Sequence, residues 1–116
     1  MTTRKLEKAE WQEIFDKLSK RLGRKQAKIE VIGLALGNQV EAEWLPLIGI
    51  VYDHKDDVAE VALEGLDHLI HKPREIRIDE DDGVLGRLEI VDADGIRQII
   101  KLRRDPELAH RTAPQQ

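Results

Sequence analysis

A chain of 116 residues without cysteine is long enough for one domain with a buried core, and it excludes disulfides, cysteine nucleophiles and cysteine-based zinc sites. Charged residues make up 36% of the chain, aromatic residues only 3%, and the net charge is −4. The sequence shows no apolar leader and no run of the roughly 20 apolar residues that cross a bilayer. We therefore expect a cytoplasmic protein without a membrane segment.

Charge is unevenly distributed along the chain. Residues 1–28 hold nine Lys and Arg against four Asp and Glu, residues 29–100 hold six against seventeen, and residues 101–116 hold four against two. A basic helix that binds nucleic acid is one interpretation, but the acidic body would repel phosphates and few aromatic side chains are available for stacking. We expect instead that the basic helix lies near the acidic strands, and nucleic acid is not an expected partner.

Residues 6–22 are predicted to form an amphipathic helix. Acidic residues lie early and basic residues late in this segment, which complements the helix dipole. Thr2 or Thr3 is the predicted N-terminal cap, unless Leu6 lies in a short extended arm, and Gly23 is the predicted stop. The apolar stripe at helical spacing consists of Trp11, Ile14, Phe15, Leu18 and Leu22.

The rest of the chain alternates short apolar runs with turn residues, which predicts strands. Apolar parity flips at Gly33, which predicts a bulge or bend there. Residues 64–72 instead show helical spacing and are predicted to form a short helical turn or an irregular lid. Residues 103–116 are polar and are predicted to be a flexible tail behind a single domain of residues 1–102. The predicted strands are residues 28–37, 39–44, 47–52, 58–63, 74–79, 85–92 and 96–102.

This order of elements predicts an α+β fold, in which an N-terminal amphipathic helix precedes an antiparallel meander of six or seven strands. Breaks at Gly33, Pro46, Gly49 and Gly86 predict a strongly bent sheet. We favour a small, partly open barrel with the helix over one mouth, and the alternative is an open sheet with the helix across one face. Residues 47–52 are apolar on both faces and are predicted to form a central strand. Its second face would be covered by sheet closure or by another chain.

His68 and His71 are the clearest candidate metal ligands. On a helix, their spacing of three residues would place both imidazoles on one ion. No third ligand is evident, and the alternative is a pair of surface histidines ahead of Pro73. The acidic stretches at residues 53–57 and 79–83 lack the length and the closing Glu of an EF-hand loop, so we interpret both as solvated turns.

Few residues are suited to nucleophilic or cofactor chemistry. Ser19 is the only serine and is predicted to lie on the polar side of the helix, and the threonines fall in the termini. Trp44 and Tyr52 are candidate ligand-stacking residues, although we expect Trp44 to fill the core with its N–H bound near Pro46. The glycines form no nucleotide-binding motif. We therefore assign no catalytic, cofactor-binding or metal-binding residue.

Three stretches resemble a family of short bacterial proteins, the domain of unknown function 5335. They read TTRKLEKAEWQEIFDKLSK, EAEWLPLIGIVYDHKDDVAEVALEGLDHLIHKPREI and LEIVDADGIRQIIKL. The resemblance extends from about Thr3 to Leu102, which favours a single domain. It implies no activity, and no catalytic or binding residue is carried over from it.

Three functional hypotheses from different classes fit these patterns. The first, which we favour, is a non-enzymatic accessory or protein-binding module that acts through a sheet surface, as a homo-oligomer or with an unknown protein partner. The second is a small nucleic-acid-binding barrel, Sm-like or SH3-like, in which the cations are Lys17, Lys20, Arg21, Arg24, Lys25 and Lys28. The third is a small enzyme that uses carboxylates or His68 and His71.

Overall fold

The computed structural model describes residues 2–104 as one helix-bearing antiparallel sheet. The strand order across the sheet is β1-β6-β7-β8-β2-β3-β4-β5, and every ladder is antiparallel. In chain order the elements are β1 (Thr2–Lys5), a 3-10 helix (Lys8–Glu10), α1 (Trp11–Arg21), β2 (Lys25–Gly33), β3 (Gly37–Asp53), β4 (Val58–Leu63), β5 (Leu66–His71), β6 (Pro73–Asp81), β7 (Val84–Asp92) and β8 (Arg97–Arg104).

The α+β class is confirmed, but the predicted barrel is wrong. β1 and β5 end the strand order, and no ladder among residues 2–104 joins them, so the sheet stays open. The described chain has eight strands rather than six or seven, because β1 and β5 were not predicted as strands. The spacing of Leu66, Leu69 and Ile70 matched a helix, yet the segment pairs with β4 over its whole length. A short apolar run fits both periodicities, and here the neighbouring strand decides.

The N-terminal helix begins later than predicted. Thr2–Lys5 pairs with β6, and the N–H of Leu6 donates to the carbonyl of Ile76 at 2.8 Å, so this arm is extended. The turn before α1 is held by a backbone N–H of Glu7 that donates to the Glu10 carboxylate at 2.8 Å. The predicted caps at Thr2 and Thr3 are therefore wrong, because both residues belong to an edge strand. Gly23, with φ of +64°, ends the helix as predicted.

Strand β3 connects the two parts of the sheet. Its first part pairs with β2 as far as Pro46, and its second part pairs with β4 from Leu47 onwards. Three register shifts interrupt it, one opposite Lys28, one between Val40 and Ala42, and one between Leu47 and Gly49. The two predicted strands on either side of Pro46 are therefore one bent strand of 17 residues.

The hairpin between β2 and β3 explains the change of parity at Gly33. Gly33 ends β2 opposite Gly37, and the turn lies between them. Leu34 and Leu36 fall in that turn, and both are exposed. The flip therefore marks the end of a strand rather than a bulge within it. At the other end of the chain, Arg103 and Arg104 continue β8, and the remainder of the predicted tail lies outside the described residues.

Helix α1 covers the inner face of the second part of β3. Trp11, Phe15 and Leu18 are buried there, and the Trp11 ring meets Tyr52 edge-on at 5.1 Å between centroids. Burial of such rings contributes about 2–3 kcal/mol each. The core continues beneath both parts of the sheet through Leu6, Ala27, Ile29, Ile50, Val61, Leu63, Ile70, Ile76, Ile78, Leu88, Ile90 and Ile100.

Ser19 has a structural role between the helix and the sheet. Its hydroxyl donates to the carbonyl of Ile50 at 2.6 Å and accepts the N–H of Ile50 at 2.9 Å. The ladder between β2 and β3 does not extend beyond Pro46, so β2 does not reach Ile50. The Ser19 side chain therefore takes the place of a neighbouring strand there. The prediction that Ser19 lies on the polar side of the helix is wrong, because its hydroxyl pairs with the backbone of the strand beneath the helix.

Candidate functional site

The two histidines lie on opposite faces of β5. Side chains alternate along a strand, so His68 points inward and His71 outward. The two imidazoles therefore do not meet at one ion, and the metal hypothesis, which assumed a helix, is wrong. More generally, residues 2–104 contain no group of three potential metal ligands.

His68 belongs instead to a polar network inside the fold. Its Nε2 lies 2.7 Å from the side-chain oxygen of Gln98, and the Gln98 amide donates to Asp92 at 3.4 Å. Asp92 also accepts the backbone N–H groups of Asp94 and Ile96. These hydrogen bonds join β5 to β8. They also satisfy a buried amide, because Gln98 is only 5% exposed. The sequence signal was a lone polar residue at an inward position of an apolar strand, and the sequence analysis missed it.

The acidic turn between β3 and β4 is a structural turn. The Asp53 carboxylate accepts the N–H of Lys55 at 2.9 Å and of Asp56 at 3.4 Å, and these bonds lower the pKa of Asp53. The Tyr52 hydroxyl donates to Asp57 at 2.7 Å. Burial, with the Asp57 carboxylate, raises the pKa of Tyr52 to about 12. Tyr52 is thus a core residue that also anchors the turn, and ligand stacking is not its role here.

The outward side chains of β2, β6, β7 and β8 form the charged face. Opposite charges meet across its strands, as in Glu30 with Lys101 at 3.4 Å and Glu89 with Arg97 at 2.7 Å. Partial burial raises the pKa of Glu30, but the hydrogen bond and charge of Lys101 outweigh it and the net shift is downward. Beneath these charges Ile99 is only 6% exposed. The charged face therefore covers its own apolar residue.

The outward side chains of residues 47–53, β4 and β5 form the apolar face. Val51 is 44% exposed and Leu69 is 48% exposed, and Glu60 of β4 lies between them in register. In the described part of the chain no ion pair crosses this face, and β5 pairs with β4 alone. A shallow depression of about 460 Å³ is lined by Val51, Asp53, Asp56, Val58, Glu60, Leu69 and His71.

Trp44 is half-buried and lies outside the core cluster, which corrects the prediction that it fills the core. Ala42 and Leu45 both face the core, and Lys28 alone stands opposite the two residues between them. This bulge turns Trp44 outward with φ of +56°. The Arg103 guanidinium lies 4.1 Å from the centroid of the indole ring. A strict alternation along β3 would have placed Trp44 beside Ala42, and the bulge is what the sequence did not reveal.

The fold defines a small α+β protein in which one helix packs against the inner face of an open antiparallel sheet, over strand β3. The chain belongs to a family of unknown function (DUF5335), whose model matches residues 2–111. It is similar to an uncharacterized protein of Aquifex aeolicus (strain VF5), with 42% identity over 104 residues, covering 89% of this chain and 94% of that protein. No solved structure matches it. In the described range, no helix is long and apolar enough to cross a bilayer.

Proposed function

We propose that this chain is a small non-enzymatic protein-binding module, and that its apolar face and the edge of β5 bind a second copy of the chain. The observation that carries the proposal is the pair of half-exposed side chains Val51 and Leu69, beside an edge strand that has one neighbour. The cysteine-free composition favours the cytoplasm as the compartment.

The apolar face has its exposed apolar side chains close together, whereas the half-exposed Val40 and Val84 elsewhere in the sheet lie near hairpins in separate strands. Helix α1 covers the inner side of β3, while Val51 on the outer side stays exposed. Ile48, which the register shift between Leu47 and Gly49 leaves outside the ladder, is 69% exposed. Removal of apolar surface from water contributes roughly 25 cal/mol per Å², so a second strand beside β5 that covers part of the Leu69 side chain is favoured.

The edge of β5 is complementary to itself. When two copies pair antiparallel about Leu69, the two Leu69 side chains meet and Asp67 of each copy lies opposite His71 of the other. All three residues share the outward parity of the strand, so the outer faces of the two copies become continuous. Exposed edges of this kind are the usual route by which sheets extend from one chain to another. The pairing of a carboxylate acceptor with an imidazole N–H donor at both ends thus selects a second copy as the occupant.

The test is the molar mass in solution, measured by light scattering across protein concentrations. We expect a dimer for the unchanged chain and a monomer for Leu69→Asp, because two carboxylates would meet at the centre of the interface. Leu34→Asp is the matched control, since Leu34 is fully exposed in a different hairpin and its substitution should leave the dimer intact. Circular dichroism verifies that both variants are folded.

A charge exchange distinguishes the proposed register from other contacts. Asp67→Arg should weaken the dimer because it places a cation opposite His71, and Asp67→Arg together with His71→Asp should restore it. A monomeric unchanged chain at every concentration, or a dimer that survives Leu69→Asp, would overturn the proposal. A dimer weakened by Asp67→Arg and not restored by the double variant would also contradict this pairing.

A further inference from the structure

We infer that the cavity beside Trp44 binds the guanidinium group of an arginine side chain that another polypeptide presents. We call this cavity the Trp44 pocket, and its volume is about 350 Å³. None of its lining residues belongs to the apolar face, so the inference is independent of the proposed dimer.

The strand order places an indole and three carboxylates at opposite walls of the Trp44 pocket. Trp44 belongs to β3, and residues 79–81, which are all acidic, end β6. β2, β8 and β7 lie between these two strands in the sheet. Leu102 of β8 and Gly86 of β7 line the pocket between the walls. An aromatic surface, an apolar floor and an anionic wall together suit a cation that is carried on an apolar stem.

The indole of Trp44 already contacts a guanidinium within the chain. The Arg103 guanidinium lies 4.1 Å from the ring centroid, and its Nε donates to the side-chain oxygen of Gln26 at 2.9 Å. Arg103 does not line the Trp44 pocket, so the pocket borders another part of the ring. Arginine suits such a surface better than lysine, because its guanidinium is planar and more weakly hydrated. A second guanidinium can therefore contact the indole from the pocket.

One carboxylate at the anionic wall has no partner of its own. Asp79 is paired with Arg87 at 3.7 Å, and Glu80 with Arg4 at 3.9 Å. Within residues 2–104, no ion pair or side-chain hydrogen bond engages Asp81, which is exposed. Its two oxygens can accept two parallel N–H groups of a guanidinium, whereas an ammonium group offers no such planar pair.

The two cations that border the Trp44 pocket are engaged by carboxylates. Arg87 lies 3.7 Å from Asp79 and 3.8 Å from Glu89. Lys101 lies 3.4 Å from Glu30. Each of these cations is thus offset by a neighbouring carboxylate. They therefore leave the anionic wall accessible to a further cation.

The Trp44 pocket is open enough to admit a side chain from outside. Asp81, Gly86 and Lys101 are exposed, so the pocket does not enclose a ligand on all sides. Its volume of about 350 Å³ is also near the lower end for a site that buries a whole ligand. An arginine side chain can occupy it while the backbone of the partner stays outside. The occupant is therefore a polypeptide rather than a free small molecule.

The experiment is an NMR titration of the isotope-labelled protein with a capped peptide in which glycines flank a single arginine. The chain has two tryptophans, and therefore two indole N–H signals. The signal of Trp44 should shift, whereas that of Trp11, which is buried with its N–H 3.4 Å from the carbonyl of Leu6, should not. We expect a dissociation constant on the order of 1 mM at roughly 0.15 M salt, which screens distant charges.

Three comparison ligands identify the group that is recognised. The matching citrulline peptide keeps the shape of the arginine side chain without its charge, and the matching lysine peptide keeps the charge without the planar fork. Both should bind at least about threefold more weakly than the arginine peptide. The third ligand, n-butylguanidinium, has the same group and stem without a peptide backbone. It should bind about as tightly as the arginine peptide, because only the side chain enters the pocket.

Variants locate the site. Gly86→Leu should abolish binding, because the new side chain fills the Trp44 pocket. The fold should tolerate it, since an added Cβ would approach only the carbonyl oxygen of Asp79, at 4.0 Å. Asp81→Asn should weaken binding by about twofold to fivefold. Asp82→Asn is the matched control, because it removes the same charge from the adjacent residue, which does not line the pocket, and it should have little effect. Circular dichroism verifies that all three variants are folded.

Four outcomes would overturn the inference. The first is an unchanged Trp44 signal when the arginine peptide is added. The second is equal affinity for the citrulline or the lysine peptide, which would show that the guanidinium is not recognised. The third is binding that persists in folded Gly86→Leu or falls equally in Asp81→Asn and Asp82→Asn, which would place the contact elsewhere. The fourth is binding of n-butylguanidinium without binding of the peptide, which would indicate a small-molecule site.

Discussion

The charged face and the apolar face belong to the same sheet but differ in how far their apolar side chains are exposed to water. On the charged face, ion pairs such as Glu89 with Arg97 lie over Ile99, which is almost completely buried. On the apolar face, Val51 and Leu69 stand half exposed on either side of Glu60. The charged face therefore covers Ile99 within a single chain, whereas Val51 and Leu69 of the apolar face stay in contact with water.

The difference originates in how each part of the sheet is supported. The strands of the charged face have strands on both sides, apart from β1 at the edge. The second part of β3 has β4 on one side and only the Ser19 hydroxyl of α1 on the other. One part is thus stabilised by ladders, and the other depends on a single helix. Substitutions in that helix should therefore lower the free energy of unfolding more than substitutions on the charged face do.

The two tryptophans give the largest expected difference. Trp11 is 1% exposed beneath the apolar face, and Trp44 is half-buried outside the core cluster, at the end of the charged face. Trp11→Ala should lower the free energy of unfolding by about 3–5 kcal/mol, because it leaves a cavity between α1 and β3. Trp44→Ala should lower it by less than about 1 kcal/mol. Urea unfolding followed by circular dichroism measures both, and equal losses would contradict the contrast.

Alkaline pH should produce the next largest effect, through Tyr52. Burial and then Asp57 raise its pKa to about 12, above the value near 10 expected in the unfolded chain. Below pH 10 the phenol is neutral in both the folded and the unfolded chain, so its full contribution to the free energy of unfolding is present. Between pH 10 and 12 the unfolded chain loses the proton first, and stability falls by about 2–3 kcal/mol.

Comparison with Tyr52→Phe isolates this effect from the titration of lysines, which both proteins share. The free energy of unfolding of the variant should decline less steeply over the same pH range. Since Tyr52 is the only tyrosine, the near-ultraviolet absorption of tyrosinate reports its ionisation directly. Parallel stability curves, or a midpoint near 10, would show that Tyr52 does not have the raised pKa.

Ser19→Ala should produce a smaller loss, of about 1–3 kcal/mol. It removes the only side-chain partner described for the N–H and carbonyl of Ile50, which face the helix. Glu89→Gln on the charged face is the comparison, and the loss of an exposed ion pair there should be below about 1 kcal/mol. Hydrogen exchange at the Ile50 amide should accelerate in Ser19→Ala alone. Unchanged protection would argue that this hydroxyl does not hold the strand.

Local patterns predicted most of the elements but not the places where the chain leaves a regular strand. The alternation along β2, β4, β6, β7 and β8, and the helical stripe from Trp11 to Leu18, were sufficient for the α+β class. Trp44 was misplaced because a bulge reverses parity without any local signature. β5 was mistaken for a helix because the periodicity of so short a run is ambiguous and its neighbour was unknown.

The candidate surfaces were less predictable because they form between distant parts of the chain. The ion pair of Glu30 with Lys101 needs the register between β2 and β8, which is not written in either segment. The link between His68 and Gln98 likewise depends on two strands that face each other across the core. By contrast, the apolar character of both faces of residues 47–52 was visible in the sequence and predicted a central strand covered on both faces. Helix α1 covers one face, but the sheet does not close over the other, and Val51 stays exposed there.

The position of β1 has a consequence for the order of folding. Neighbouring segments form two local groups, β2 to β5 and β6 to β8, each joined by short hairpins. The ladders between β2 and β8 and between β1 and β6 close much longer loops, and such contacts form slowly. During synthesis the first strand must wait for β6 to emerge. The two hairpin groups must wait longer still, because β8, which pairs with β2, emerges after β6.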